Sequence, residues 1–284
     1  MFNICFDTGT LFYPACLREL AGRSDVRLWG STINVFETVS DVRDDDSFRR
    51  VRAQLSLLLE VSGDRFLPNT DMQFRIAVGH PDVIDTPLEW REIAMIVAQA
   101  GSLAELEHVS FRRAAEMRAE HTNGWPKQVV DHMLRSINPT LTTSPDWNVR
   151  ATADTIAKLR AFLHSPDGRH AQLNAWFRRQ RWDPSQISMP ERVVSLCVLR
   201  AYFQAWEGFL LHMLQFGRKP EENDALDLDQ TLPLWQDDWL FLTSDKGLVK
   251  CLELGEMPRH KYRLVQTLNS SDWIASARKW AQSP

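Results

Sequence analysis

Two short apolar runs, one near each end of the chain, finish on an aspartate: Ile4-Cys5-Phe6-Asp7 and Leu240-Phe241-Leu242-Thr243-Ser244-Asp245. Runs this short, with no polar alternation, fit strands buried on both faces, as in a parallel sheet. In an open parallel sheet, sites form outside the carboxyl ends of the strands. If these two strands are neighbours, both carboxylates stand on one edge. Crossover handedness then brings the start of the helix after each strand to the same edge. The constraint is therefore an α/β fold with its chemistry at one sheet edge.

The rest of the pattern divides the chain. Thr8 to Leu20 reads as a loop and a helix closed near Gly22, and Val26 to Trp29 as a second strand. Ser31 or Thr32 can cap the next helix, which carries Ile33, Val35, Phe36 and Val39 on its apolar side and also Glu37. After the run Asp44-Asp45-Asp46, which reads as a solvated turn, helical periodicity continues to about Pro190 with almost no strand signal. Candidate helices there are Ser47–Val61, Leu88–Ala100, Ser110–Glu120, Lys127–Ile137, Val149–His164 and Ala171–Gln180. Breakers separate them, among them Pro87, Gly101, Pro126 and Pro166. One long helix is expected from Pro190 to Phe216, a helix start at Asn223–Asp229, and short helices at Lys246–Leu254 and Asp272–Ala281, with a last strand at Tyr262–Gln266. The expected organisation is residues 1–43 and 190–284 as two parts of one α/β core, with 44–189 as a large helical insertion.

A chain of 284 residues, 44% hydrophobic and 25% charged, can bury a sizeable core. Its longest apolar-rich stretch, Val193 to Phe216, is interrupted by Arg200, Gln204, Glu207 and His212, so no membrane span is expected. The N-terminus lacks a basic segment and meets Asp7 early, which argues against a signal peptide and for the cytoplasm. Cys5, Cys16, Cys197 and Cys251 have no C-x-x-C spacing, and the histidines no H-E-x-x-H. No P-loop, G-x-S-x-G or G-x-G-x-x-G is present. The net charge of −4 counts against nucleic acid as a partner, although a metal site spends acidic residues on cations.

Asp7, Glu37, Asp227 and Asp245 can meet in one crevice, with Asp224 one turn before Asp227 on the same face. Carboxylates gathered this way repel one another and partly retain protons unless a cation is present. Hard divalent ions with oxygen ligands, Mg²⁺ or Mn²⁺, suit them. Repulsion further predicts that Asp7→Asn and Asp245→Asn leave metal-free melting unchanged or raised. Asp229, two residues beyond Asp227, is expected to face away and to serve as a control.

The segments CFDTGTLF, STINVFETVSD, NDALDLDQTL and WLFLTSDKGL together resemble the PIN domain family of metal-dependent ribonucleases. The resemblance covers roughly residues 1–43 and 190–284. It implies a three-layer α/β/α sandwich with a parallel central sheet and endoribonuclease activity. It assigns the family's acids to Asp7, Glu37, Asp227 and Asp245, with Asp224 as a further metal ligand. Pro233 falls where the family's helix normally continues, so that helix should be short or kinked. The implied partner is RNA, with DNA as the second choice, and an inhibitory protein or a second copy of the chain is compatible. Arg178, Arg179 and Arg181, interleaved with Trp176, Phe177 and Trp182, are candidate RNA contacts. The reading from another class is a PIN-like interaction module that no longer cuts.

Overall fold

The structure is a computed structural model that describes residues 1–79, 87–106, 109–112, 114–116, 152–179, 181–216 and 224–281. Five parallel strands form one sheet in the order β3-β2-β1-β4-β5. They are β1 (Phe2–Phe6), β2 (Val26–Ser31), β3 (Phe66–Leu67), β4 (Trp239–Thr243) and β5 (Tyr262–Leu264). The two runs that end on aspartate are neighbours at the centre, paired from Asn3↔Trp239 to Phe6↔Leu242. One step further along that register, Asp7 stands beside Thr243, and its backbone N–H donates to the carbonyl of Leu242 (3.0 Å).

Alternate residues of the central strands enter two different apolar clusters, which explains their lack of polar alternation. Ile4, Phe6, Leu240 and Leu242 pack with Leu17, Leu28 and Trp273. Cys5, Trp239 and Phe241 pack with Tyr202, Phe209 and Leu252. Each fully buried side chain of this size contributes about 1.5–3 kcal/mol. The expected α/β class with a parallel sheet is the observed one.

The first cluster is covered by α1 (Pro14–Ala21), α2 (Thr32–Ser40), α3 (Asp45–Ser62), α5 (Pro87–Gln99) and, at the end of the chain, α12 (Ser270–Ala281); α4 (Thr70–Ala77) sits with the second cluster through Phe74. That second cluster is built from α6 (Ala153–His164), α7 (Pro166–Arg179), α8 (Met189–Val198), α9 (Arg200–Phe216) and α11 (Lys246–Leu254). The short α10 (Asp224–Asp229) precedes a 3-10 turn at Leu232–Trp235, where Pro233 stands. Among the described residues no helix is long and apolar enough to cross a membrane.

Several expectations need correction. β3 lies inside the range read as helical; two residues are too few to carry a period. Residues 45–62, read as the first part of the helical insertion, pack directly on the sheet. Phe48, Val51, Leu55 and Leu58 of α3 share the cluster of Ile4 and Phe6. The Asp44–Asp46 run starts that helix rather than being only a solvated turn: Asp44 caps it by accepting from Ser47 N (2.8 Å). The long helix expected from Pro190 is two helices, because at Leu199 the backbone leaves helical geometry with ψ near 0°. Pro166, read as a breaker, is the first residue of α7, where a missing N–H costs nothing. The expected helix Lys127–Ile137, and the end of Ser110–Glu120 from residue 117 on, lie outside the described residues.

α9 and α11 meet at backbone contact through a pair of glycines. A Cβ on Gly208 would lie 1.7 Å from the carbonyl oxygen of Cys251, and one on Gly255 1.8 Å from that of Gln204. The obstacles are main-chain atoms, so only separation of the helices relieves them. Gly208→Ala should therefore cost about 1–3 kcal/mol or more, read as a lower denaturation midpoint. A midpoint equal to wild type would mean that the helices do not pack this closely.

Candidate functional site

The site begins where β1 ends. Asp7 caps the 3-10 turn Thr8–Phe12 and is buried. Its Oδ1 accepts from the N–H of Thr10 (2.8 Å) and from the Thr10 hydroxyl (2.5 Å). Its Oδ2 accepts from the N–H of Ser244 (2.8 Å) and from the Thr243 hydroxyl. One carboxylate thus ties the turn after β1 to the turn after β4. Burial raises its pKa, opposed by these same hydrogen bonds.

α2 brings in Glu37. Ser31 is the cap: its hydroxyl accepts from Asn34 N (3.1 Å), and the Asn34 side chain accepts from Ser31 N (2.9 Å). The same Asn34 amide donates to the carbonyl of Phe6 (2.9 Å), which locks α2 against the end of β1. Glu37, one turn on and buried, accepts from the Thr8 hydroxyl. On the other side Asp245 caps α11, its Oδ1 accepting from Gly247 N (2.5 Å).

Asp227 completes the set and behaves differently. Neither of its oxygens accepts a hydrogen bond from a described residue. Its pKa is raised well above the usual carboxylate range, first by burial and then by the negative charges of Glu37, Asp7, Asp245 and Asp224. These are the acids expected from the sequence, and each of them acts on Asp227. Among the described residues no lysine or arginine forms an ion pair with Asp7, Asp227 or Asp245. Asp224, Asp227 and Asp245 line a narrow crevice walled by Phe209, Leu228, Leu248 and Cys251.

The donors are hard oxygens, the right chemistry for Mg²⁺ or Mn²⁺. Their spacing is looser than a closed cage. Among the described residues no three His, Cys, Asp or Glu side chains stand close enough to hold one ion. Mg²⁺ needs only one or two carboxylates, with water and substrate oxygens completing its shell. Asp227 and Asp245 have oxygens to offer, whereas those of Asp7 are already engaged by donors from Thr10, Thr243 and Ser244.

Sequence reasoning did not single out Thr8, Thr10 and Asn34, which, together with Thr243 and Ser244 of the turn that carried the resemblance, hold the acids in place. The signal was the density of hydroxyl residues around each acid, in DTGT and TSD. Asp229 is buried, so it makes a poor exposed control. Among the residues proposed to touch RNA, Arg178 and Arg181 are exposed, and the side chain of Arg179 lies outside the described part. Their aromatic neighbours are not exposed platforms. Trp176 and Phe177 are core, and Trp182 stacks on Phe177 with ring centroids 5.9 Å apart.

No protein-family model, no curated protein and no solved structure matches this chain.

Proposed function

We propose that this chain is a divalent-metal-dependent nuclease that cuts RNA, built on a PIN-like, three-layer α/β/α core. The observation that carries the reading is the state of Asp227. A half-buried carboxylate whose pKa is raised by four others, with no ion pair to a described residue, is costly for a fold unless a bound cation relieves it.

Asp227 and Asp245 would hold Mg²⁺ or Mn²⁺, with Glu37 and Asp224 adding negative charge around it. When bound, such an ion lowers the pKa of a water and offsets charge on a phosphodiester. Asp7 is a positioning residue: through Thr243 and Ser244 it fixes the turn that presents Asp245. Thr8 and Asn34 do the same for Glu37. RNA is the first choice of substrate from the resemblance, and single-stranded DNA is the comparison arm.

The test pairs thermal melting with cleavage of a labelled single-stranded RNA. Mn²⁺ or Mg²⁺ should raise the melting temperature saturably, by the equivalent of about 2.7 kcal/mol at a hundredfold excess over Kd. Cleavage should require the ion and stop in EDTA. Overlaid melting curves in EDTA and in millimolar Mn²⁺, with intact RNA, would leave a non-cutting interaction module as the better reading. Faster cleavage of DNA than of RNA would reassign the substrate.

A further inference from the structure

A second concavity lies among the helices, apart from the carboxylate crevice and sharing no lining residue with it. It opens between α6, α7, α8 and α9, with a cavity volume of about 470 Å³. That is the scale of small-molecule sites. Leu163 and Leu196 supply apolar lining, and Phe203 an aromatic ring.

Arg169 and Arg200 also line this groove, and both are exposed. Neither forms an ion pair or a side-chain hydrogen bond with a described residue. Each stands in the first turn of its helix, α7 or α9, where the helix dipole adds positive potential. The one carboxylate on the lining, Glu207, is already compensated. It is hydrogen-bonded to His164 (2.8 Å) and lies 3.6 Å from Arg160 Nε. The groove therefore presents two guanidinium groups to an anion. Beside them stands Gln204, whose side-chain amide also has no partner among the described residues.

We propose that this groove binds a nucleoside monophosphate. Arg169 and Arg200 take the phosphate, since guanidinium groups match its oxygens with paired hydrogen bonds. Phe203 offers a face for the base, and the Gln204 amide, with an NH₂ that donates and a carbonyl that accepts, reads its edge. Inorganic phosphate alone would leave the apolar lining and most of the volume unused. A nucleoside alone would leave the arginines unpaired. The proposal is independent of the nuclease reading.

Cys197 lines the same groove and gives a local reporter. It is exposed, whereas Cys5 and Cys251 are buried. Cys16 is half-buried, its thiol pushed up to about 11 by burial and by Glu19. Alkylation of the folded chain should therefore begin at Cys197. The experiment titrates the full chain by calorimetry with AMP, GMP, CMP and UMP, and separately with inorganic phosphate and with adenosine. At least one nucleotide should bind saturably, roughly tenfold or more tighter than phosphate or adenosine, and should slow alkylation of Cys197. Arg169→Ala and Arg200→Ala, both at exposed positions, should weaken that binding by roughly tenfold or more with unchanged melting temperatures. Asp227→Asn tells the two sites apart. If binding is lost in Asp227→Asn and kept in the arginine variants, the nucleotide sits in the crevice and the proposal falls. It falls equally if no nucleotide binds saturably, or if Cys197 reacts at the same rate in its presence.

Discussion

Asp227→Asn and Asp245→Asn should each slow cleavage of single-stranded RNA by roughly 10²–10³-fold or more, the scale of losing one charge-stabilising group at a reacting centre. The loss should not be a folding defect, because Asn caps a helix as well as Asp and can keep the Gly247 N–H bond at position 245. Asp227→Asn carries a second signature. The folded pKa of Asp227 lies above its unfolded value, so the native state holds that proton more tightly. The resulting stability is fully present below the unfolded pKa, about 4, and is lost as pH rises through the raised folded pKa. In EDTA, wild type should therefore lose stability with rising pH more steeply than Asp227→Asn, and at neutral pH the variant should melt higher. Mn²⁺ should shrink or reverse that gap, because it relieves repulsion in wild type only. A variant that cuts RNA at the wild-type rate, or melts below wild type in EDTA at neutral pH, would sink the assignment of Asp227.

Asp7→Asn should behave in the opposite way and melt clearly below wild type, with or without metal. The crowding argument from sequence treats Asp7 and Asp245 alike, and the hydrogen bonds separate them. Two backbone donors, Thr10 N and Ser244 N, bond to opposite oxygens of Asp7. An asparagine has one acceptor oxygen, so its NH₂ must face one of those N–H groups. A buried donor left unpaired costs about 1–3 kcal/mol, and the two donors also repel. At about 2–4 °C for each kcal/mol, the shift is readily seen in a melting curve. Melting equal to or above wild type would show that these hydrogen bonds do not form, and would return Asp7 to the role of a repelled ligand. Activity of this variant is the weaker readout, because loss of the tie displaces Asp245 as well.

Local pattern carried much of this. The apolar runs at Ile4–Phe6 and Trp239–Leu242 are legible because a strand buried on both faces reads as a continuous apolar run. Ser31 is legible as a cap because capping chemistry is satisfied within three residues of chain. The placement of Glu37 on α2 follows from that start, and the shortness of α10 from Pro233. Such features depend on neighbours in sequence, which is all a periodicity can encode.

What tertiary structure decided depends on partners far apart in the chain. The Thr243 hydroxyl meets Asp7 across 236 residues, and nothing local to either one announces the pairing. β3 has two residues and exists because β2 offers a free edge at Gly30 and Ser31. α3 looks like the first helix of an insertion until its apolar face is found under Ile4 and Phe6. The groove of Arg169 and Arg200 is assembled from four helices, and each arginine alone reads as an ordinary solvated residue. By itself the sequence determined the two central buried strands, the start of α2 and which acids stand at strand ends. Only the folded chain decided which of those acids is spent on hydrogen bonds and which keeps its oxygens for a ligand. That distinction is set by donors arriving from elsewhere in the chain.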